Sequence, residues 1–198
     1  MSKITLYTAN PSRSGNVQWM LAECGADYDT VAVRFGADMK APAYRAINPM
    51  GKVPAIAHAG QVITELPAIL TYLAELFPEK RLIPAAGTPE RGQYYRWLSF
   101  GSQLEYAILD RWRQVPQSEE WRRSLGYGDF DTALHTLQTL LADGREYAVG
   151  QHFSALDIYL TALLAWGTFR AQVLPNVEPF ASYMQRHLQR PAAQVLKK

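Results

Sequence analysis

A proline sits inside a short apolar run of this chain, and few folds accept it there. The run belongs to Asn48-Pro49-Met50-Gly51-Lys52-Val53-Pro54-Ala55-Ile56. It reads as a strand, yet proline cannot donate to a ladder and is normally excluded from strand interiors. A cis Val53-Pro54 bond resolves the conflict, because X-Pro bonds are where cis peptides occur. The Val53 amide and carbonyl are then bared as a strand edge for something peptide-like to pair with. Nine residues after Ile56 begins Glu65-Leu66-Pro67-Ala68-Ile69. Pro67 suits the first turn of a helix, where a missing N–H is harmless. Glu65 and Leu66 therefore lie at a helix mouth whose N–H groups can hold a carboxylate, while the Glu65 side chain can pair with an amine.

The surrounding pattern is α/β. Residues 4–7 form an apolar run that suits a buried strand, and Asn10-Pro11-Ser12-Arg13-Ser14-Gly15 is dense in turn formers. A helix is expected over 17–24, closed by Gly25, and a second strand over 28–35, completing a βαβ unit. A short helix over 41–47 follows, then a hairpin of 53–57 and 61–63 about His58-Ala59-Gly60. Residues 66–77 make a helix with one apolar stripe, stopped by Pro78. Residues 79–88 are linker-like, and everything beyond reads helical: 89–113, 130–141 and 180–187, with a last short helix from Pro191 and a loop or short helical excursion over 116–128. Ser154 with Asp157 reads as a capping box, and Phe153 and Ile158 occupy the staple positions around it. The helix that follows is apolar nearly all round to Phe169, as a buried central helix should be.

Composition removes several classes. A formal charge of +2 with interspersed acids and bases gives no clustered basic surface, so neither a nucleic-acid nor a membrane partner is expected. No signal peptide is visible at the start, and the most apolar run, 158–169, is too short to span a bilayer. One cysteine, Cys24, permits no internal disulfide and fits a reducing cytoplasm. Its place near a helix end favours packing over nucleophilic chemistry. His58, His135, His152 and His187 have no metal-ligand spacing, and no metal is expected.

A free α-amino acid head beside a peptide backbone describes glutathione. The two segments together resemble the N-terminal half of the glutathione S-transferase superfamily, whose signature reads approximately NPxGKVP followed by an E-S-x-A-I helix start. The resemblance implies a thioredoxin-like α/β domain over 1–79 and an all-α C-terminal bundle over 88–198. It also implies glutathione as co-substrate, a small, hydrophobic electrophile as second substrate, a homodimer and a cytoplasmic location. Val53, Pro54, Glu65 and Leu66 would hold the tripeptide, with Lys52 and Lys40 as partners for its glycyl carboxylate. Leu66 departs from the family pattern, which has serine there, and removes a hydroxyl that helps hold the γ-glutamyl carboxylate. Weaker glutathione binding, by about 1 kcal/mol, is expected unless another donor compensates.

The chemistry asks for one donor. A cysteine thiol with a pKa of about 8.5 is only slightly ionised at neutral pH. A charge-assisted hydrogen bond is worth about 1.5–3 kcal/mol and a pKa unit about 1.4 kcal/mol, so one hydroxyl suffices to make thiolate a major species. Ser12 and Tyr7 are the leading candidates, with Ser14, Asn10 and backbone amides behind them. The segment 7–25 lies without gaps on the tyrosine-type transferases, matching Tyr7 and also Arg13, which those enzymes place near the glutathione carboxylates. Other relatives use a turn residue, where Ser12 is best placed. No cysteine occupies the turn, which disfavours mixed-disulfide chemistry. An electrophile site would be lined by Tyr106, Trp112 and aromatics such as Phe100 or Trp166. Two further readings stay open: a glutathione-binding interaction module without conjugating activity, and a glutathione-dependent disulfide reductase.

Overall fold

In a computed structural model that describes residues 2–197, the chain forms two compact units, residues 2–82 with 191–197 and residues 83–190. The first unit runs β1 (Ile4–Thr8), α1 (Ser14–Cys24), β2 (Tyr28–Ala32), α2 (Ala37–Lys40), α3 (Pro42–Arg45), β3 (Ala55–His58), β4 (Gln61–Thr64) and α4 (Leu66–Leu76). Its sheet has the order β2-β1-β3-β4. β1 pairs parallel with β2 and antiparallel with β3, and β3 pairs antiparallel with β4. This is the thioredoxin-like α/β arrangement that the sequence implied.

Strand alternation sends Ile4 and Leu6 to one face and Tyr7 to the other. Leu6 and Ile56 are buried with Val17, Trp19, Met20 and Leu21 of α1 and Ile69, Leu70, Leu73 and Ala74 of α4, and these two helices pack together. A smaller cluster of Val33, Met39 and Tyr44 gathers Tyr7, Ala9, Ile47 and Val53 against it. The β3–β4 hairpin turns at Ala59 and Gly60, with φ of 50° and 80°, the positive pair that a tight two-residue turn requires.

Three boundaries differ from the sequence expectation. The helix expected over 41–47 is the shorter α3, and α2 before it was not expected; Ala41 separates the two because it precedes Pro42 and adopts ψ 145° rather than the helical region. β2 stops at Ala32, three residues short of the expected end. β3 begins at Ala55, leaving Val53 and Pro54 outside the ladder, as a residue without an N–H requires.

The second unit holds α5 (Pro89–Trp112), α6 (Glu119–Ser124), α7 (Phe130–Leu141), α8 (Ala155–Ala165) and α9 (Phe180–Leu188). Side chains of Thr88, Ser118 and Asp129 cap α5, α6 and α7. α8 is the buried centre and opens on the capping box. One oxygen of Asp157 accepts from the Ser154 N–H and hydroxyl, both at 2.8 Å. The other accepts from the Ala148 N–H at 2.7 Å and the Tyr183 hydroxyl at 2.6 Å. Four donors thus satisfy a carboxylate that has no access to water, and burial still pushes its pKa up. After Ala165 the helix widens into a π turn, Trp166–Arg170, where a Cβ on Gly167 would lie 2.5 Å from Leu174. The last segment, Pro191–Lys197, is a 3₁₀ stretch that packs on α1 of the first unit. Leu196 of this segment seats beside Gly15, where no side chain intervenes.

Candidate active site

Sheet register brings the motif residues to one end of the first unit. Tyr7 pairs with Val31 and with Ala55, and Ala55 pairs with Thr64. Val31, Tyr7, Ala55 and Thr64 thus form one row across all four strands. Immediately beyond that row lie the turn after β1, the Val53-Pro54 junction before β3, and Glu65 after β4. Both α1 and α4 start at this end, so two positive helix N-termini face the same region.

The Val53-Pro54 bond is cis, as are Asn10-Pro11 and Glu178-Pro179. Pro54 is buried and Val53 half-buried. Among the described residues, neither the N–H nor the C=O of Val53 is used by the sheet or by a turn. The loop before it is held from inside. Asn48, buried, donates through Nδ2 to the Lys52 carbonyl at 2.8 Å and accepts the Met50 N–H through Oδ1 at 3.1 Å. The Tyr44 hydroxyl donates to the same Lys52 carbonyl at 2.6 Å. Burial, and secondarily the nearby Tyr7 phenol, push the Tyr44 pKa up to about 12, so it stays a neutral donor. Gly51 has φ 57°, and a Cβ there would run into the Met39 carbonyl, so only glycine fits.

Glu65 stands at the head of α4 with φ 66°, unusual for a residue with a side chain. Its carboxylate is exposed and has no partner among the described residues. Its carbonyl accepts the Ile69 N–H, while the N–H groups of Leu66 and Ala68 precede the helical ladder. The Leu66 side chain is buried in the core, which explains an apolar residue at this position. Lys52 is exposed and carries no hydrogen bond or ion pair among the described residues. Lys40 differs: its ammonium donates to the Met50 and Gly51 carbonyls at 3.1 and 3.3 Å.

The two hydroxyl candidates are unlike. The Ser12 hydroxyl lies 2.6 Å from the Ala9 carbonyl and 2.9 Å from the Ser14 hydroxyl, and it accepts the Ser14 N–H at 3.1 Å. A hydroxyl has one proton, and Ser12 gives its proton to Ala9 while Ser14, buried, donates to Ser12. Tyr7 is half-buried, its ring 5.9 Å from that of Tyr44, and its hydroxyl has no hydrogen bond among the described residues. Asn10 and Arg13 are exposed in the turn, Arg13 at the head of α1. Cys24 is buried away from the turn, and desolvation pushes its thiol up to about 12, so it packs rather than reacts. Tyr44 was missed by sequence reasoning, as was the double hold on Lys52. Asn48 lay within the motif but carried no assigned role.

Comparison with known proteins supplies the family. Residues 2–75 match the family model described as the glutathione S-transferase, N-terminal domain. A glutathione transferase from Methylococcus capsulatus str. Bath is 31% identical, with a TM-score of 0.80 over 98% of this chain and 97% of that one. A sphingomonad glutathione S-transferase solved with glutathione is 31% identical, with a TM-score of 0.77 over 98% and 97%. The glutathione S-transferase GstA of Escherichia coli O157:H7 is 29% identical over 183 residues, which is 88% of this chain and 87% of that protein. The chain belongs to the glutathione S-transferase superfamily. Among the described residues there is no cluster able to hold a metal ion, and no helix is long and apolar enough to cross a membrane.

Proposed function

We propose that this protein is a glutathione transferase that presents glutathione as thiolate to a small, hydrophobic electrophile. One observation carries the reading: the register row Tyr7–Ala55–Thr64 sets an unpaired main-chain edge, an unpaired carboxylate and a helix N-terminus side by side. The extended tripeptide pairs with Val53, its ammonium meets Glu65, and its α-carboxylate meets the Leu66 and Ala68 N–H groups. Lys52 takes the glycyl carboxylate, with Arg13 and the third Lys40 proton within the same set. Tyr7 activates the thiol. Its phenol has no bond to give up, whereas Ser12 would first have to release Ala9. Family membership supports a homodimer and a cytoplasmic location for the working enzyme.

A second reading is a glutathione binder without conjugating activity. Two observations favour it: no hydroxyl follows Glu65, and the turn serine spends its proton internally. Retention on glutathione resin with release by free glutathione tests binding, which both readings expect. Conjugation of an aryl halide, set beside a disulfide-reduction assay, separates them. Measurable conjugation supports the transferase, while retention without conjugation supports the binder. Reduction without conjugation would shift the protein to disulfide chemistry. Absence of retention overturns all three.

A further inference from the structure

Resting on the reading above, we infer that Tyr44 and Asn48 are positioning residues that aim the Val53 N–H at the carbonyl of the bound peptide. The Lys52 carbonyl has two lone pairs, and both are taken from the protein side, by Tyr44 at 2.6 Å and Asn48 at 2.8 Å. The Lys52–Val53 peptide is not among the cis bonds. In a planar trans peptide the N–H points opposite to the C=O. Holding the carbonyl inward at two points therefore turns the Val53 N–H outward, and the two holds together resist rotation of the peptide plane as one would not.

The neighbouring carbonyls repeat the device. Lys40 holds those of Met50 and Gly51, and Asn48 takes the Met50 N–H on Oδ1 and the Gly51 N–H on its own carbonyl. The brace is closed on itself, because the Asn48 N–H donates to the Tyr44 carbonyl at 2.8 Å. Three successive carbonyls are thus each held by a side chain, and the Val53 N–H follows them unused. A loop whose amides were free to swing would pay the cost of ordering this donor when ligand arrives. The brace pays it in advance, so its effect falls on affinity rather than on the chemical step.

Tyr44→Phe tests this with minimal change of shape. Three quantities are read: the glutathione Kd by calorimetry, KM for glutathione against kcat with an aryl halide, and the Val53 amide cross-peak in ¹H–¹⁵N spectra of the ligand-free protein. One neutral hydrogen bond corresponds to about a fivefold change in Kd. The expected result is a Kd and KM raised by about that factor, kcat changed less than twofold, and a displaced Val53 cross-peak in a protein that still unfolds cooperatively. A variant that binds glutathione as tightly as wild type overturns the inference and leaves the functional reading intact. So does an unmoved Val53 peak. Wild-type protein without affinity for glutathione overturns the reading of function and this inference with it.

Discussion

The Ser12 hydroxyl lies 2.6 Å from the Ala9 carbonyl, a bond that closes the turn between β1 and α1 and occupies its one proton. Ser12→Ala should therefore act on stability first, costing about 1 kcal/mol as lost capping hydrogen bonds do, with turnover reduced only a few-fold. Tyr7→Phe should leave the fold intact and lower turnover tenfold or more. Steady-state conjugation rates beside thermal melts check both. Equal turnover in wild type and Tyr7→Phe would remove the phenol from the chemistry.

Leu66 places an apolar side chain where the family has a hydroxyl. Leu66→Ser should tighten glutathione binding by about fivefold, one neutral hydrogen bond. The same change should destabilise the protein by about 2–3 kcal/mol, because the leucine is buried and leaves a cavity. Calorimetric Kd and the urea midpoint should therefore both fall, tighter binding in a less stable protein. Unchanged affinity would mean that the α4 N-terminus does not meet the carboxylate.

Gly51→Ala forces a side chain onto a residue at φ 57° and into the Met39 carbonyl. The loop carrying Lys52 and Val53 has to shift to accept it. Stability should fall by at least about 1 kcal/mol, and glutathione affinity should fall with it. Gly87→Ala, where a Cβ meets nothing within 4 Å at φ 78°, is the matching control: the same backbone penalty, with affinity retained.

His187 sets an acid limit. It is buried against Tyr147, Phe153 and Tyr183, with Asp157 4.0 Å away and Arg186 and Arg190 close in charge. Burial, helped by the two arginines, lowers its pKa from 6.5 to about 4. Between those values the unfolded chain binds the proton and the folded one does not, so stability falls as pH drops from 6.5 towards 4, by on the order of 3 kcal/mol. Asp157 works against this at the acid end, since its raised pKa lets the folded form take a proton more readily. Denaturation at a series of pH values should show the slope in wild type and a flattened one in His187→Gln. A persistent slope would place the titration elsewhere.

What the sequence discloses depends on how local the cause is. Pro54, Glu65 and the Ser154–Asp157 pair were legible because each rule involves residues at most a few positions apart. The break between α2 and α3 was equally local, written in Ala41-Pro42, but α2 itself, four residues long, is too short to show a helical period. The reach of Asp157 to Ala148 and Tyr183 was not legible, since it joins separate elements through tertiary packing. The same holds for the Tyr44 brace, whose partner lies across a loop, and for the internal engagement of Ser12, where composition alone cannot tell a capping serine from a catalytic one. Beyond α8, the apolar pattern continues to Phe169, and nothing in it marks the wider turn at Trp166–Arg170.

The seating of Leu196 beside Gly15 has an outcome for how this molecule can be built and dissected. The sheet-bearing unit is not one unbroken stretch of chain: its outer surface is finished by residues that leave the ribosome after every helix of the other unit. A fragment cut after residue 82 would bare the flank of α1 to water, so loss of glutathione binding by such a piece would report missing cover, not a misplaced boundary.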